Sequence, residues 1–201
     1  MIYPIEPRNP YGKDASAYWD NFLTDDEINQ ILARPEWLNS QKGEIGGQIN
    51  SNGEVNPEKR TTDISWLTCT PETVQLWNKI SNVVAEVNRT FFHFDLTGCY
   101  EPMQLGIYKE NDSGHYDWHT DASMTDTKTP RKLSMSLLLS DPSEFEGGDL
   151  EIKPYSDTSM KLEMVKGRAW FFPSYVLHRV TPVTKGIRRS LVLWVGGPAF
   201  K

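Results

Sequence analysis

The apolar positions change period about half-way along the chain. Before residue 91 they recur at helical spacing; after it they alternate, or bunch in short runs broken by Gly, Pro, Asn and Asp. Thr24-Asp25-Asp26-Glu27 has the form of a capping box, and Ile28, Ile31 and Leu32 follow on one face. A first helix should therefore start at Thr24 and stop before Pro35. A second should take Thr70 as N-cap and Pro71 as its first residue, with Val74, Trp77, Ile80, Val84 and Val87 in one stripe. Strands are expected near 92–97, 102–109, 115–120, 132–140, 148–153, 160–166, 168–173, 176–181 and 187–196. So many strands without intervening helices predict an α+β fold that is mainly β: a double-sheet jelly roll (double-stranded β-helix) buttressed by N-terminal helices. On its last strand Arg188, Ser190, Val192 and Trp194 share one face, and Arg189, Leu191 and Leu193 the other.

Between the helices, residues 41–59 are rich in Gly, Asn and Glu and read as a mobile loop or loose hairpin, a candidate lid. The polar stretch 123–131 is expected to border the mouth of the jelly roll. With 201 residues and no internal repeat, residues 1–201 read as a single domain, 1–91 as a helical support region and 92–201 as the jelly-roll core.

Composition narrows the partners. A net charge of −6 without a block of like charges disfavours a phosphate backbone, so no nucleic acid is expected. No apolar run approaches the roughly 18 residues that span a bilayer, and Met1-Ile2-Tyr3-Pro4 lacks a signal pattern. The expectation is a soluble cytoplasmic protein with no membrane partner. Cys69 and Cys99 are too few for a disulfide scaffold and read as buried thiols. Asn88-Arg89-Thr90 reads as a helix end rather than a glycosylation site.

The chemistry concentrates in His and Asp. With four His and thirteen Asp, a His-x-Asp pair should occur by chance about 0.3 times, yet there are three: His93-Phe94-Asp95, His115-Tyr116-Asp117 and His119-Thr120-Asp121. In a strand, residues i and i+2 point to one face, so each pair could offer an imidazole and a carboxylate together. A third ligand from a distant strand would complete a two-His, one-carboxylate set, which leaves three positions open on Fe(II). His178 is that candidate. Arg188 follows ten residues later with Pro182 and Gly186 between, so a strand, a turn and a second strand would return the Arg beside the metal. Spacing alone does not choose among the three pairs.

The run from Met103 to Trp194 resembles the 2-oxoglutarate/Fe(II) dioxygenases of the prolyl 4-hydroxylase and PKHD-hydroxylase type. Those proteins carry a Tyr three residues before the first ligand, His-x-Asp, a Gly-Gly ahead of a strand, a distal His, and a basic residue about ten positions later. Tyr116, His119 and Asp121, Gly147-Gly148, His178 and Arg188 match that order. The Tyr selects His119 and Asp121, since His93 has Thr90 and His115 has Asp112 at that offset. His115 is then left to the approach to the strand or the pocket rim, and His93 to structure.

The resemblance implies an enzyme in which His119, Asp121 and His178 bind Fe(II), with 2-oxoglutarate and O₂ as cosubstrates and ascorbate as an accessory reductant. Arg188 would grip the distal carboxylate of 2-oxoglutarate through its planar fork, helped by Tyr108, with Trp194 in the same pocket. The family's chemistry is hydroxylation of an unactivated C–H bond, of a prolyl or other peptidyl residue; halogenating relatives lack the carboxylate that Asp121 supplies. One departure is Leu138, where related prolyl hydroxylases often have a Tyr. Outside this run, Arg60-Thr61-Thr62-Asp63-Ile64-Ser65-Trp66-Leu67 is similar to the Arg-x-Ser-x-x-x-Trp-Leu segment of collagen-type prolyl 4-hydroxylases. It marks Arg60 and Trp66, with Tyr116, as candidate contacts to a peptide or protein substrate; the alternative is a strand packing Ile64 and Trp66 inward. A free small molecule is the alternative substrate. A metal-binding cupin-like jelly roll without oxygenase activity and a metal-dependent hydrolase are the competing functions.

Overall fold

The computed structural model describes residues 15–45, 53–122, 129–155 and 157–199. Strand β1 (Ala17–Trp19) leads into helix α1 (Asp25–Leu32). The capping box forms as expected: the Glu27 N–H donates to the Thr24 hydroxyl at 3.2 Å, and the Thr24 N–H to the Glu27 carboxylate at 2.7 Å. Pro35 ends the helix by opening a 3₁₀ turn, Pro35–Asn39. Next come β2 (Gln41–Lys42) and β3 (Asp63–Leu67), with Ile45 and Glu54 joined by an antiparallel bridge between them. That bridge joins the two described flanks of the 41–59 stretch; residues 46–52, on which a lid or hairpin turn would depend, lie outside the described residues, as do residues 123–128 of the expected mouth loop.

Helix α2 (Val74–Val87) begins later than Pro71. The Thr73 hydroxyl accepts from the Thr70 N–H at 2.8 Å and donates to the Thr68 carbonyl at 2.7 Å, so residues 70–73 close a separate turn first. The stripe behaves as its spacing predicts: Ile80, Val84 and Val87 are buried and Trp77 packs against them.

The strand expected at 92–97 is not formed. Asn88–Phe92 wind into a π turn and His93 takes a left-handed φ of 54°. The Asn88 amide donates to the Phe94 carbonyl and accepts from the Phe94 N–H, both at 2.9 Å, which occupies the groups a ladder would need. Strands then follow as β4 (Met103–Lys109), β5 (Tyr116–His119), β6 (Arg131–Leu138), β7 (Phe145–Gly147), β8 (Leu150–Lys153), β9 (Met160–Lys161), β10 (Ala169–Pro173), β11 (Leu177–Val180) and β12 (Val183–Gly196). The 160–166 expectation shrinks to the two residues of β9, and β12 starts four residues before 187. Strands β1 and β7, of three residues each, are too short to show alternation.

Among the described residues the strands form two antiparallel sheets. The larger runs β1-β10-β6-β12-β4-β3-β2, with β7 also paired to β12; the smaller runs β5-β11-β8-β9. Alternation gives the larger sheet two apolar faces. Leu133, Met135, Leu137, Leu191, Leu193 and Met103 turn outward onto Ile28, Ile31, Ile80, Val84 and Val87 of the helices. The inner face sends Tyr108, Leu138, Phe172 and Val183 against Leu150, Ile152 and Val180 around the smaller sheet. Each fully buried leucine contributes roughly 1.5–3 kcal/mol. The larger sheet is therefore packed between the helices and the smaller sheet, and its inner face holds the site.

The cysteines correct the sequence reading. Cys69 is exposed and Cys99 only partly covered, both along a groove of about 870 Å³ between α2 and residues 94–102. Burial still pushes the Cys99 thiol up to about 11. Among the described residues, no helix is long and apolar enough to cross a membrane.

Candidate active site

Strand pairing brings the two halves of the motif together. In the smaller sheet His178 of β11 lies directly across from His119 of β5, and both side chains turn toward the larger sheet. Asp121 follows β5 immediately, where its N–H donates to the Ser174 carbonyl at 2.9 Å. One ligand atom from each of His119, Asp121 and His178 lies within 4.8 Å of the others. The His119 Nε2 is 3.7 Å from Asp121 Oδ1, and the His178 Nε2 is 3.4 Å from Oδ2.

The imidazoles are oriented from behind. His119 Nδ1 meets the Asp117 carbonyl at 2.7 Å and His178 Nδ1 the Val176 carbonyl at 2.9 Å. A carbonyl only accepts, so each Nδ1 carries a proton and each Nε2 is the nitrogen turned to the centre. Burial, and then the neighbouring His178, pushes the His119 imidazole down to about 3. Burial opposes ionisation of Asp121, but His178, His119, Arg131 and the Ser134 hydroxyl hold its carboxyl below the usual range. Two imidazole nitrogens and one carboxylate are the donor set that suits Fe(II).

The other side of the cleft comes from the inner face of the larger sheet. Arg188, Ser190, Val192 and Trp194 of β12 line it, with Gln104 and Tyr108 of β4. Arg188 is 1% exposed. Its Nη1 donates to the Ser190 hydroxyl at 3.2 Å, its guanidinium lies 4.9 Å from the Tyr108 ring centroid, and its Nε has no partner. It forms no salt bridge among the described residues. Burial pushes its pKa below the ordinary value, against the pull of Tyr108 and Asp149. A buried guanidinium in that state is costly unless an anion meets it. Leu138, which departs from the family pattern, borders a small cavity together with Arg188 and offers it no hydroxyl.

Tyr116 stacks on His119, with ring centroids 3.5 Å apart and planes at 13°, and Arg60 stands 4.5 Å over the far side of Tyr116. Arg60 also donates to Gln104 Oε1 at 2.7 Å and borders the cleft. Trp66 is paired with Gln104 on the same face of the larger sheet, outside the cleft lining, its ring 6.4 Å from that of Trp194. His115 sits just ahead of β5, its ring nitrogens facing Ser113, Thr61 and Glu58, and His93 lies at the π turn; neither joins the cluster.

Three contributors were missed in the sequence. Ser134 donates to Asp121 Oδ2 at 2.7 Å and lies 2.9 Å from the Ser174 hydroxyl. Arg131 lies 3.8 Å over the Trp194 ring while its Nε donates to Glu101 at 2.6 Å. The available signal was Ser134 and Ser136 alternating with Leu133, Met135 and Leu137, polar residues on the inner face of a central strand.

A model of the 2OG-Fe(II) oxygenase superfamily matches residues 103–196. A PKHD-type hydroxylase of Xylella fastidiosa is 31% identical over 180 residues, covering 84% of this chain and 71% of the relative. One of Teredinibacter turnerae is 28% identical over 191 residues, covering 88% and 75%. A Pseudomonas putida prolyl-4-hydroxylase structure superposes with a TM-score of 0.70 at 19% identity, covering 90% of this chain and 92% of that one. A prolyl hydroxylase from Trichoplax adhaerens gives 0.71 at 20%, covering 92% and 84%. These last two show the fold. With the cupin-like and hydrolase alternatives set aside, the chain belongs to the 2OG-Fe(II) oxygenase superfamily and is an enzyme that uses Fe(II), 2-oxoglutarate and O₂ to hydroxylate its substrate.

Proposed function

We propose that His119, Asp121 and His178 hold the iron, that Arg188 and Tyr108 take the distal carboxylate of 2-oxoglutarate beside Trp194, and that the substrate is a peptidyl residue, a prolyl side chain first. The observation that carries this reading is the buried guanidinium of Arg188, without a salt bridge among the described residues, on the wall opposite the His-Asp-His cluster. When bound, iron and cosubstrate supply the oxidative chemistry: 2-oxoglutarate becomes succinate and CO₂ while one oxygen atom enters a substrate C–H bond. The chain supplies position. His119 and His178 keep their Nε2 lone pairs aimed by backbone carbonyls, Arg188 neutralises a carboxylate where water cannot, and Val192 and Trp194 keep the pocket dry.

Support for a peptide comes from Arg60 and Tyr116, which stack on each other beside His119 and line the cleft. The Trichoplax adhaerens enzyme was solved with a peptide fragment. We treat residues 1–201 as one working unit, with 1–91 as support for the 92–201 core. Purified protein with Fe(II), O₂ and 2-oxoglutarate should release succinate, zinc should not replace iron, and a prolyl peptide target should gain the mass of one oxygen. Turnover with zinc, or without O₂, would overturn the reading.

A further inference from the structure

The Asp121 carboxylate is held from behind by two serines, and their hydrogen bonds have a forced direction. Ser134 Oγ lies 2.7 Å from Asp121 Oδ2 and 2.9 Å from Ser174 Oγ. An ionised carboxylate can only accept, so the single hydroxyl proton of Ser134 goes to Oδ2. The proton between the two serines must then come from Ser174. The result is a one-way chain, Ser174 O–H to Ser134 O–H to Asp121 Oδ2, in which each bond polarises the next. Both serines are 0% exposed, so no water competes for these groups.

Ser174 also grips the backbone. Its carbonyl accepts from the N–H of both Asp121 and Ala122 at 2.9 Å, and its own N–H donates to the Lys132 carbonyl at 2.9 Å. Main chain and side chain of Asp121 are thereby fixed by one residue at the end of β10, acting through another on β6. Ser134 holds one lone pair of Oδ2, so the carboxylate keeps Oδ1 turned to His119 Nε2 at 3.7 Å and Oδ2 to His178 Nε2 at 3.4 Å.

Resting on the ligand assignment above, we infer that Ser134 and Ser174 are positioning residues that fix the orientation of the Asp121 carboxylate between His119 and His178. The serines touch neither substrate nor metal; they act through Asp121.

The test uses Co(II) binding to the intact, metal-free protein, read by affinity and by the visible spectrum, which reports coordination number. Wild type should bind and Asp121→Ala should not; if wild type fails to bind, the ligand assignment itself falls. Ser134→Ala should weaken binding by about 10–100-fold, the usual range for losing a partner behind a metal ligand. Its spectrum should change with it, as the carboxylate loses its fixed orientation. Ser134→Thr keeps the hydroxyl and should restore both readouts. Ser174→Ala should show a smaller loss, and Ser134→Ala/Ser174→Ala should bind no worse than Ser134→Ala, because Ser174 acts through Ser134. If Ser134→Ala does not fold, Ser174→Ala alone carries the test. Wild-type affinity and spectrum in the folded serine variants, or fully additive losses in the double variant, would overturn the inference.

Discussion

Each imidazole at the centre of the cleft is aimed by the carbonyl two residues before it, Asp117 for His119 and Val176 for His178. That local loop fixes the tautomer without help from any other element. His119→Ala, Asp121→Ala and His178→Ala should each remove Fe(II) binding, whereas His115→Ala, whose ring faces residues 58, 61 and 113, should keep most of it. Equilibrium dialysis with Fe(II) under anaerobic conditions checks this; loss in His115→Ala with retention in His119→Ala would reverse the choice of pair. That His119, Asp121, His178 and Arg188 would meet around one cleft was legible because few residue types suit the chemistry their spacing suggests. Ser134 was not, because a serine has no signature until its strand face is known. The exposed Cys69 was misread for the same reason: a thiol carries no sign of which side of a strand end it will occupy.

Helix α1 was legible from Thr24 and Glu27 alone, since a capping box is a four-residue event. The failed strand at 92–97 was not, because the amide of Asn88, six residues upstream, takes both backbone groups of Phe94. The Gly147-Gly148 turn between β7 and β8 shows what a motif glycine does. Gly147 has φ 74°, and an added Cβ would sit 2.2 Å from the Pro182 carbonyl oxygen; Gly148 has φ 62°, and its Cβ would sit 2.8 Å from Arg188 Cδ. Gly147→Ala should therefore cost more than about 1 kcal/mol of stability, a backbone clash added to a strained φ. Gly148→Ala should in addition lower affinity for 2-oxoglutarate by displacing Arg188. Chemical denaturation and cosubstrate titration of the two variants separate the effects; equal cosubstrate affinity in Gly148→Ala and wild type would remove the link to Arg188.

Across the whole molecule, the edge of the larger sheet is tied by charge. Asp63 on β3 pairs with Lys109 of β4 at 2.6 Å and Lys42 of β2 at 2.9 Å. Burial opposes its ionisation, yet Lys109 and Lys42 hold its carboxyl below the usual value. A depressed carboxyl stabilises the fold fully above the unfolded value of about 3.9 and loses that contribution as pH falls through the folded value. Asp63→Asn should cost about 1.5–3 kcal/mol at neutral pH, the worth of hydrogen bonds to charged groups, and the gap to wild type should close as pH drops below about 3.9. Urea unfolding at several pH values measures it; a gap independent of pH would contradict the assignment. The same sheet carries Arg188 across from His119 and His178 of the smaller one, and on that meeting the proposed function rests. Anaerobic titration of the Fe(II) protein with 2-oxoglutarate, followed by its metal-to-ligand absorbance band, tests it directly. Wild type should saturate. Arg188→Ala should bind at least about a hundredfold more weakly, because a buried unpaired carboxylate costs about 3–5 kcal/mol. Arg188→Lys should fall between, and Fe(II) affinity without cosubstrate should stay unchanged. Wild-type affinity in Arg188→Ala, or no band in the wild type, would contradict the assignment.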